Sequence, residues 1–204
     1  MPKPELGPFE YAMGLFSVII GLAVTDIAIS FHRLMRSRRE IRWDPLALAA
    51  AVYTLCTAVY MWCTAVYMWF DLWGVRNFEA TRGFFFYLAL VIQLVVMFLA
   101  AAASLPDEAT GNLDLSKYYD ENGRYFWSLL TLFQAGYTLD GIYFGWREFA
   151  RAPPLAAVLL VTEMAAPMMV CFALVLFRRR VAHWVGLAVL FGLMAVHYGP
   201  ARIG

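Results

Sequence analysis

Charge is sparse in this sequence: acidic and basic residues fill 15% of its 204 positions, hydrophobic residues fill 62%, and the mean hydropathy is positive. A water-soluble fold of that composition would carry far more apolar surface than it could hide, so lipid is the expected solvent. Cysteine is scarce as well. The three present, Cys56, Cys63 and Cys171, all fall inside apolar stretches, where a thiol behaves as a small hydrophobe and neither a disulfide framework nor a zinc cluster is expected. No lysine falls inside a long apolar run, which removes a retinal-type Schiff base. A glycine-flanked nucleophilic serine, an HExxH or paired-cysteine metal pattern and a phosphate-binding glycine loop are all missing. The chain is therefore not expected to be an enzyme or to carry a metal or cofactor. His32, His183 and His197 sit near the ends of different apolar runs and do not converge on a metal pair. The basic residues lie beside apolar runs rather than on a free face, and the net charge is only +1, so nucleic acid is not an expected partner.

Long apolar runs are what the sequence has in abundance. A window of about nineteen residues finds six of them, at 11–31, 45–73, 83–104, 125–146, 155–177 and 181–198. They predict an all-α integral membrane helical bundle of one domain, with six transmembrane helices and no room for a separate soluble domain. The last run is short and has His183 and His197 near its ends, so a five-span reading stays open. Met1–Glu10 holds Pro2, Pro4, Pro8 and a single lysine ahead of the first run; no cleavable signal peptide is expected.

Span one is followed by His32, Arg33, Arg36, Arg38, Arg39 and Arg42, and span five by Arg178, Arg179 and Arg180. The excess of arginine on the cytoplasmic side of membrane proteins then makes 32–44, 105–124 and 178–180 the cytoplasmic connectors and puts the N-terminus outside. An even number of crossings separates the two clusters, so both fall on one side. Ten basic residues lie inside by this arrangement and six outside. The outer connectors carry Arg76, Glu79 and Arg82, and then Arg147, Glu148 and Arg151. The long inner connector 105–124 is acidic, with Asp107, Glu108, Asp114, Asp120 and Glu121, and Asn122-Gly123 reads as a turn.

Span two contains a tandem repeat: Cys56-Thr57-Ala58-Val59-Tyr60-Met61-Trp62 recurs at once as Cys63-Thr64-Ala65-Val66-Tyr67-Met68-Trp69. Seven residues advance an α-helix by almost two turns, with a drift of about 20°, so each side chain keeps nearly its original face. The extra length of about 10 Å must be taken up as tilt or protrusion. The repeat is either a neutral duplication or an extended stripe of Tyr53, Tyr60 and Tyr67.

Polar groups inside the spans carry the functional signal. Glu163 falls near the middle of span five, where a carboxylate must be protonated, paired or wetted. Pro167, four residues on, removes the hydrogen bond that the carbonyl of residue 163 would accept and predicts a kink there. Gln93 and Gln134 fall at mid-depth of spans three and four, where an amide can line a polar cluster or bond across helices. Asp26 and Asp140 lie nearer the span ends; Ser30 and Arg33 share the face of Asp26 and offer it local partners. Small residues mark two faces, Ser17, Gly21 and Thr25 in span one and Gly141 and Gly145 in span four beside Gln134 and Thr138. Such faces permit close helix packing, within the chain or between copies.

Phe9-Glu10-Tyr11 leading into Ser17-Val18-Ile19-Ile20-Gly21-Leu22-Ala23-Val24-Thr25-Asp26, then Leu105-Pro106-Asp107-Glu108, Asp114-Leu115, Tyr118-Tyr119 and Asn122-Gly123-Arg124-Tyr125-Phe126-Trp127, carry a resemblance. Over roughly the first two thirds of its length the chain resembles a family of small, uncharacterised bacterial multi-pass membrane proteins. The resemblance implies a bacterial inner-membrane location and supplies no activity. The heptapeptide repeat departs from the family pattern.

Two functions from different classes are compatible with these features. One is a non-enzymatic bundle that acts by helix association, as a homo-oligomer or an accessory subunit of a membrane-protein partner. The other is a proton or cation channel or transporter built around Glu163, with Gln93, Gln134, Asp26 and Asp140 along the pathway.

Overall fold

The computed structural model describes residues 8–74, 84–107, 113–149, 151 and 153–198. These form six helices and a minimal strand pair: α1 (Pro8–Arg36), β1 (Ile41–Arg42), α2 (Pro45–Gly74), α3 (Phe84–Ser104), β2 (Leu113–Asp114), α4 (Leu115–Phe149), α5 (Pro154–Leu176) and α6 (Arg180–Tyr198). Four segments are long and apolar enough to cross a membrane, namely Met13–Arg36, Pro45–Cys63, Tyr87–Ser104 and Pro154–Leu176, and Arg180–Val196 is a shorter apolar helix. The outward surface fits that solvent: Leu155, Val158, Phe172, Val181 and Val185 are all exposed, apolar side chains that water would penalise and acyl chains accept. The connector with Arg76, Glu79 and Arg82 lies outside the described residues, as does Glu108.

Local chemistry sets the helix ends. Asp44 caps α2, its Oδ1 accepting from the backbone N–H of Leu46 at 3.1 Å, and Pro45 takes the first position, where a missing N–H costs nothing. Pro154 starts α5 in the same way. The repeated heptapeptide stays helical throughout, and α2 reaches 30 residues, about 45 Å at 1.5 Å per residue.

The largest departure from the sequence reading is at α4. Residues 115–124, expected as connector, are helical, and α4 runs for 35 residues. Asp114 caps it, Oδ1 accepting from the N–H groups of Ser116 (2.9 Å) and Lys117 (3.3 Å). Asn122 does not turn the chain; its Nδ2 donates back to the Tyr118 carbonyl at 3.1 Å. Leu115, Tyr119, Phe126 and Leu130 are buried along one face, a helical spacing that outweighs the polar composition.

The connector residues 37–44, 105–107, 113–114 and 177–179 meet at one end of the bundle. Ile41 and Arg42 pair in parallel with Leu113 and Asp114, Arg33 donates to the Asp107 carbonyl at 2.8 Å, and Arg180 reaches Asp44 and Asp120. Both arginine clusters therefore lie at the same end. Around the ring, α1 packs on α3, α3 on α4, α4 on α5, α5 on α6, α6 on α2 and α2 on α1, and α2 also touches α3 and α4.

Two apolar cores fill the bundle. The larger lies at the connector end and draws on all six helices, from Ala23 and Leu34 of α1 through Trp127 of α4 to Cys171 and Leu187 of α5 and α6. The smaller, in the other half, gathers Phe16, Ile20, Ala58, Met61, Leu94, Met97 and Phe133, all from α1 to α4. At that level a cavity takes the place of core between those helices and the α5–α6 hairpin.

Candidate functional site

The cavity has a volume of about 220 Å3 and is walled by four helices. Tyr53, Thr57, Tyr60 and Met61 come from α2; Phe133, Gln134 and Tyr137 from α4; Glu163, Met164 and Pro167 from α5; Leu190, Leu193, Met194 and Val196 from α6. The heptapeptide spacing puts Tyr53 and Tyr60 on the same wall. Tyr67 lies among side chains outside the described set. Gln134 Nε2 donates to the Tyr53 hydroxyl at 3.3 Å, and the hydroxyls of Tyr60 and Tyr137 stand 3.5 Å apart. Tyr53 is anchored on its other side by an edge-to-face contact with Phe191, centroids 5.6 Å apart. Glu163 and Val196 are exposed, so the cavity has an open side along the α5–α6 edge.

α5 runs on through Pro167, whose missing N–H takes a partner from the Glu163 carbonyl. One residue along, Thr138 of α4 donates to the Met164 carbonyl at 3.1 Å as well as to its own Gln134 carbonyl at 2.8 Å. A neighbouring hydroxyl is how proline-bearing helices in lipid satisfy a loosened turn. Gly141 makes this approach possible: a Cβ there would stand 3.1 Å from the Met164 sulfur and methyl. Gly145 lies outside the described side chains.

The five acids and amides singled out from the sequence fall into three places. Glu163 and Gln134 share the cavity. Gln93 and Asp140 bond each other across α3 and α4: with its amide oriented to match its neighbours, Gln93 donates to Asp140 Oδ2 at 2.8 Å and accepts from the Tyr137 N–H at 2.9 Å. Gly136 makes room for that amide, with Gln93 atoms 3.3 Å from where a Cβ would stand. Asp26 stands apart on α1. Its Oδ2 is buried without a hydrogen-bond partner, and Arg33, which the sequence offered it, donates to the Asp107 carbonyl instead. Ser17, Gly21 and Thr25 are exposed, and nothing lies within 4 Å of a Cβ built on Gly21, so this small-residue face packs against no other helix among the described residues.

A second polar constellation, at the connector end, went unread in the sequence. Arg180, at the start of α6, ion-pairs with the buried Asp44 of α2, donates to Ser116 of α4 at 2.7 Å and meets Asp120 at 3.1 Å. Hydrogen bonding to Asp44 pushes the guanidinium pKa above its already high value, so the cation persists at working pH. Beside it, Trp127 Nε1 donates to the Tyr119 hydroxyl (2.9 Å), which lies 2.8 Å from His183 Nδ1, and His183 Nε2 lies 2.8 Å from the Phe177 carbonyl. A carbonyl only accepts, so Nε2 carries the proton, Nδ1 accepts from Tyr119, and every donor in the chain is used by a neutral imidazole. Burial pushes the Tyr119 phenol up, with the Trp127 hydrogen bond opposing. The signal for this clasp was in the sequence as Asp44 ahead of Pro45 and an arginine at the last helix's start, which hydropathy alone reads as topology.

Among the described residues, no group of three or more His, Cys, Asp or Glu side chains is placed to hold a metal ion. Comparison with known proteins finds no matching family model, no matching curated protein and no matching solved structure.

Proposed function

We propose that the chain is a six-span protein of a bacterial inner membrane, with its N-terminus outside and the clasp in the cytoplasm, and that it binds a cation at Glu163 and passes protons or cations through the bundle. α4 and α6 complete the six crossings: α6, at 19 residues, is about 28 Å long and just matches the hydrocarbon thickness. One observation carries the functional reading, a four-helix cavity with a carboxylate in its wall at mid-span. A carboxylate at that depth is costly unless it is protonated, paired or wetted, and a cation in the cavity would serve as such a pair. Gln93 and Asp140 are spent on each other, so the site is compact rather than a file of acids.

Flux in liposomes tests it. Vesicles containing the purified protein should pass protons or rubidium above the empty-vesicle rate, and Glu163→Gln should return that rate to baseline. Wild-type flux equal to empty vesicles overturns the reading.

A second reading, association with another copy or a membrane-protein partner, is favoured by the exposed Ser17, Gly21 and Thr25 face. Small residues permit close backbone approach in lipid. Oxidative crosslinking of the Gly21→Cys variant in vesicles should capture a dimer that wild type does not form if a second copy occupies this face. A variant that stays monomeric and keeps its flux leaves the cation reading alone.

A further inference from the structure

The geometry points to an organic ammonium ion carrying an apolar group, rather than an inorganic cation, as the species the Glu163 cavity takes. The inference rests on the cation-site reading and names its substrate class. Size is the first argument: about 220 Å3 exceeds the roughly 150 Å3 that suffices for a benzene-sized guest. The second is the wall. Beside the one carboxylate stand the rings of Tyr53, Tyr60 and Tyr137 and the thioethers of Met164 and Met194. Aromatic faces attract alkylammonium groups, and methionines adapt to irregular apolar shapes.

Donor chemistry is the third argument. Calcium and magnesium want six or more hard oxygens at fixed distance, but the cavity's amide and phenols are engaged with one another, Gln134 with Tyr53 and Tyr60 with Tyr137. Among the described residues no lysine, arginine or histidine lines the wall, so none of them gives an anion a counter-charge there. A carboxylate for the charge and an aromatic, thioether surface for the substituent match one ligand class. The exposed side at Glu163 and Val196 gives such an amphipathic cation a route in along the α5–α6 edge.

The test uses the full chain in lipid nanodiscs with benzyltrimethylammonium as probe and its neutral isostere neopentylbenzene as control, read by calorimetry. Benzyltrimethylammonium should bind wild type at least about tenfold tighter than the isostere, the scale of charge recognition by a carboxylate with aromatic faces. Glu163→Gln should abolish the difference; Tyr60→Phe, which keeps the ring, should retain binding, and Tyr60→Leu should lose about tenfold. Equal affinity for charged and neutral probes overturns the inference, as does a Tyr60→Leu variant that binds like wild type. Absent binding alongside a Glu163-dependent proton or rubidium flux removes the organic class and leaves the cation site standing. Absence of both removes the two together.

Discussion

The two halves of this bundle are packed differently. At the connector end all six helices contribute to one core, and Arg180, Asp44, Asp120, Ser116, Tyr119, Trp127 and His183 tie α2, α4 and α6 together. In the other half, among the described residues, the core is shared by α1 to α4 alone, and α5 and α6 stand across a cavity with Glu163 in its wall. In lipid, apolar packing gains no hydrophobic driving force, so polar pairs and close backbone contacts must hold helices in place. Ion pairs tie the connector end together, and single hydrogen bonds such as Gln93–Asp140, Gln134–Tyr53 and Thr138–Met164 span the half that holds the cavity.

That division can be broken at the clasp first. Arg180→Ala leaves the buried Asp44 carboxylate without its partner; the guanidinium is 39% exposed, so the expected loss is about 2–3 kcal/mol, below that of a fully buried pair. Thermal unfolding in detergent reads it, and Asp44→Ala combined with Arg180→Ala should cost less than the two single changes summed. Gly186→Ala comes next: its Cβ would lie 2.6 Å from Leu174 Cδ2, and forcing Leu174 aside should destabilise by about 1–3 kcal/mol. Tyr119→Phe deletes the hydroxyl between Trp127 and His183 and should cost about 1–2 kcal/mol, with benzyltrimethylammonium affinity unchanged. Affinity that falls with the melting temperature in any of these variants would mean the halves are not separable.

The smallest effect sharpens the clasp side through pH. Tyr118 donates to the Ala103 carbonyl at 3.2 Å, and burial, reinforced by Asp107, pushes its phenol from 10.0 to about 12. The folded state holds this proton more tightly than the unfolded chain, so its contribution is complete below pH 10 and drains away as pH rises toward about 12. Tyr118→Phe should flatten that part of the stability profile, and an unchanged slope would contradict this role for the Tyr118 phenol.

Hydropathy and capping residues made the helices legible: Pro45 and Pro154 mark real starts, and the heptapeptide repeat stays helical. The first three turns of α4 were not legible from composition, because Asp120, Glu121 and Asn122-Gly123 read as loop while the buried spacing of Leu115, Tyr119, Phe126 and Leu130 and the Asp114 cap decide otherwise. Glu163 and Gln134 were found as rare polar residues at mid-span. Their separation from Gln93 and Asp140 needed three dimensions, since facing direction around a uniformly apolar helix leaves no amphipathic trace. The Asp44–Arg180 pair spans 136 positions, a distance over which local pattern says nothing.

The most direct measurement places Glu163→Gln and Arg180→Ala side by side, recording thermal unfolding and liposome flux on the same preparations. Glu163→Gln should melt within about 2 °C of wild type and carry no flux above empty vesicles, while Arg180→Ala melts several degrees lower. A Glu163→Gln protein that loses as much stability as Arg180→Ala yet still carries wild-type flux would contradict the assignment of binding to one half and cohesion to the other.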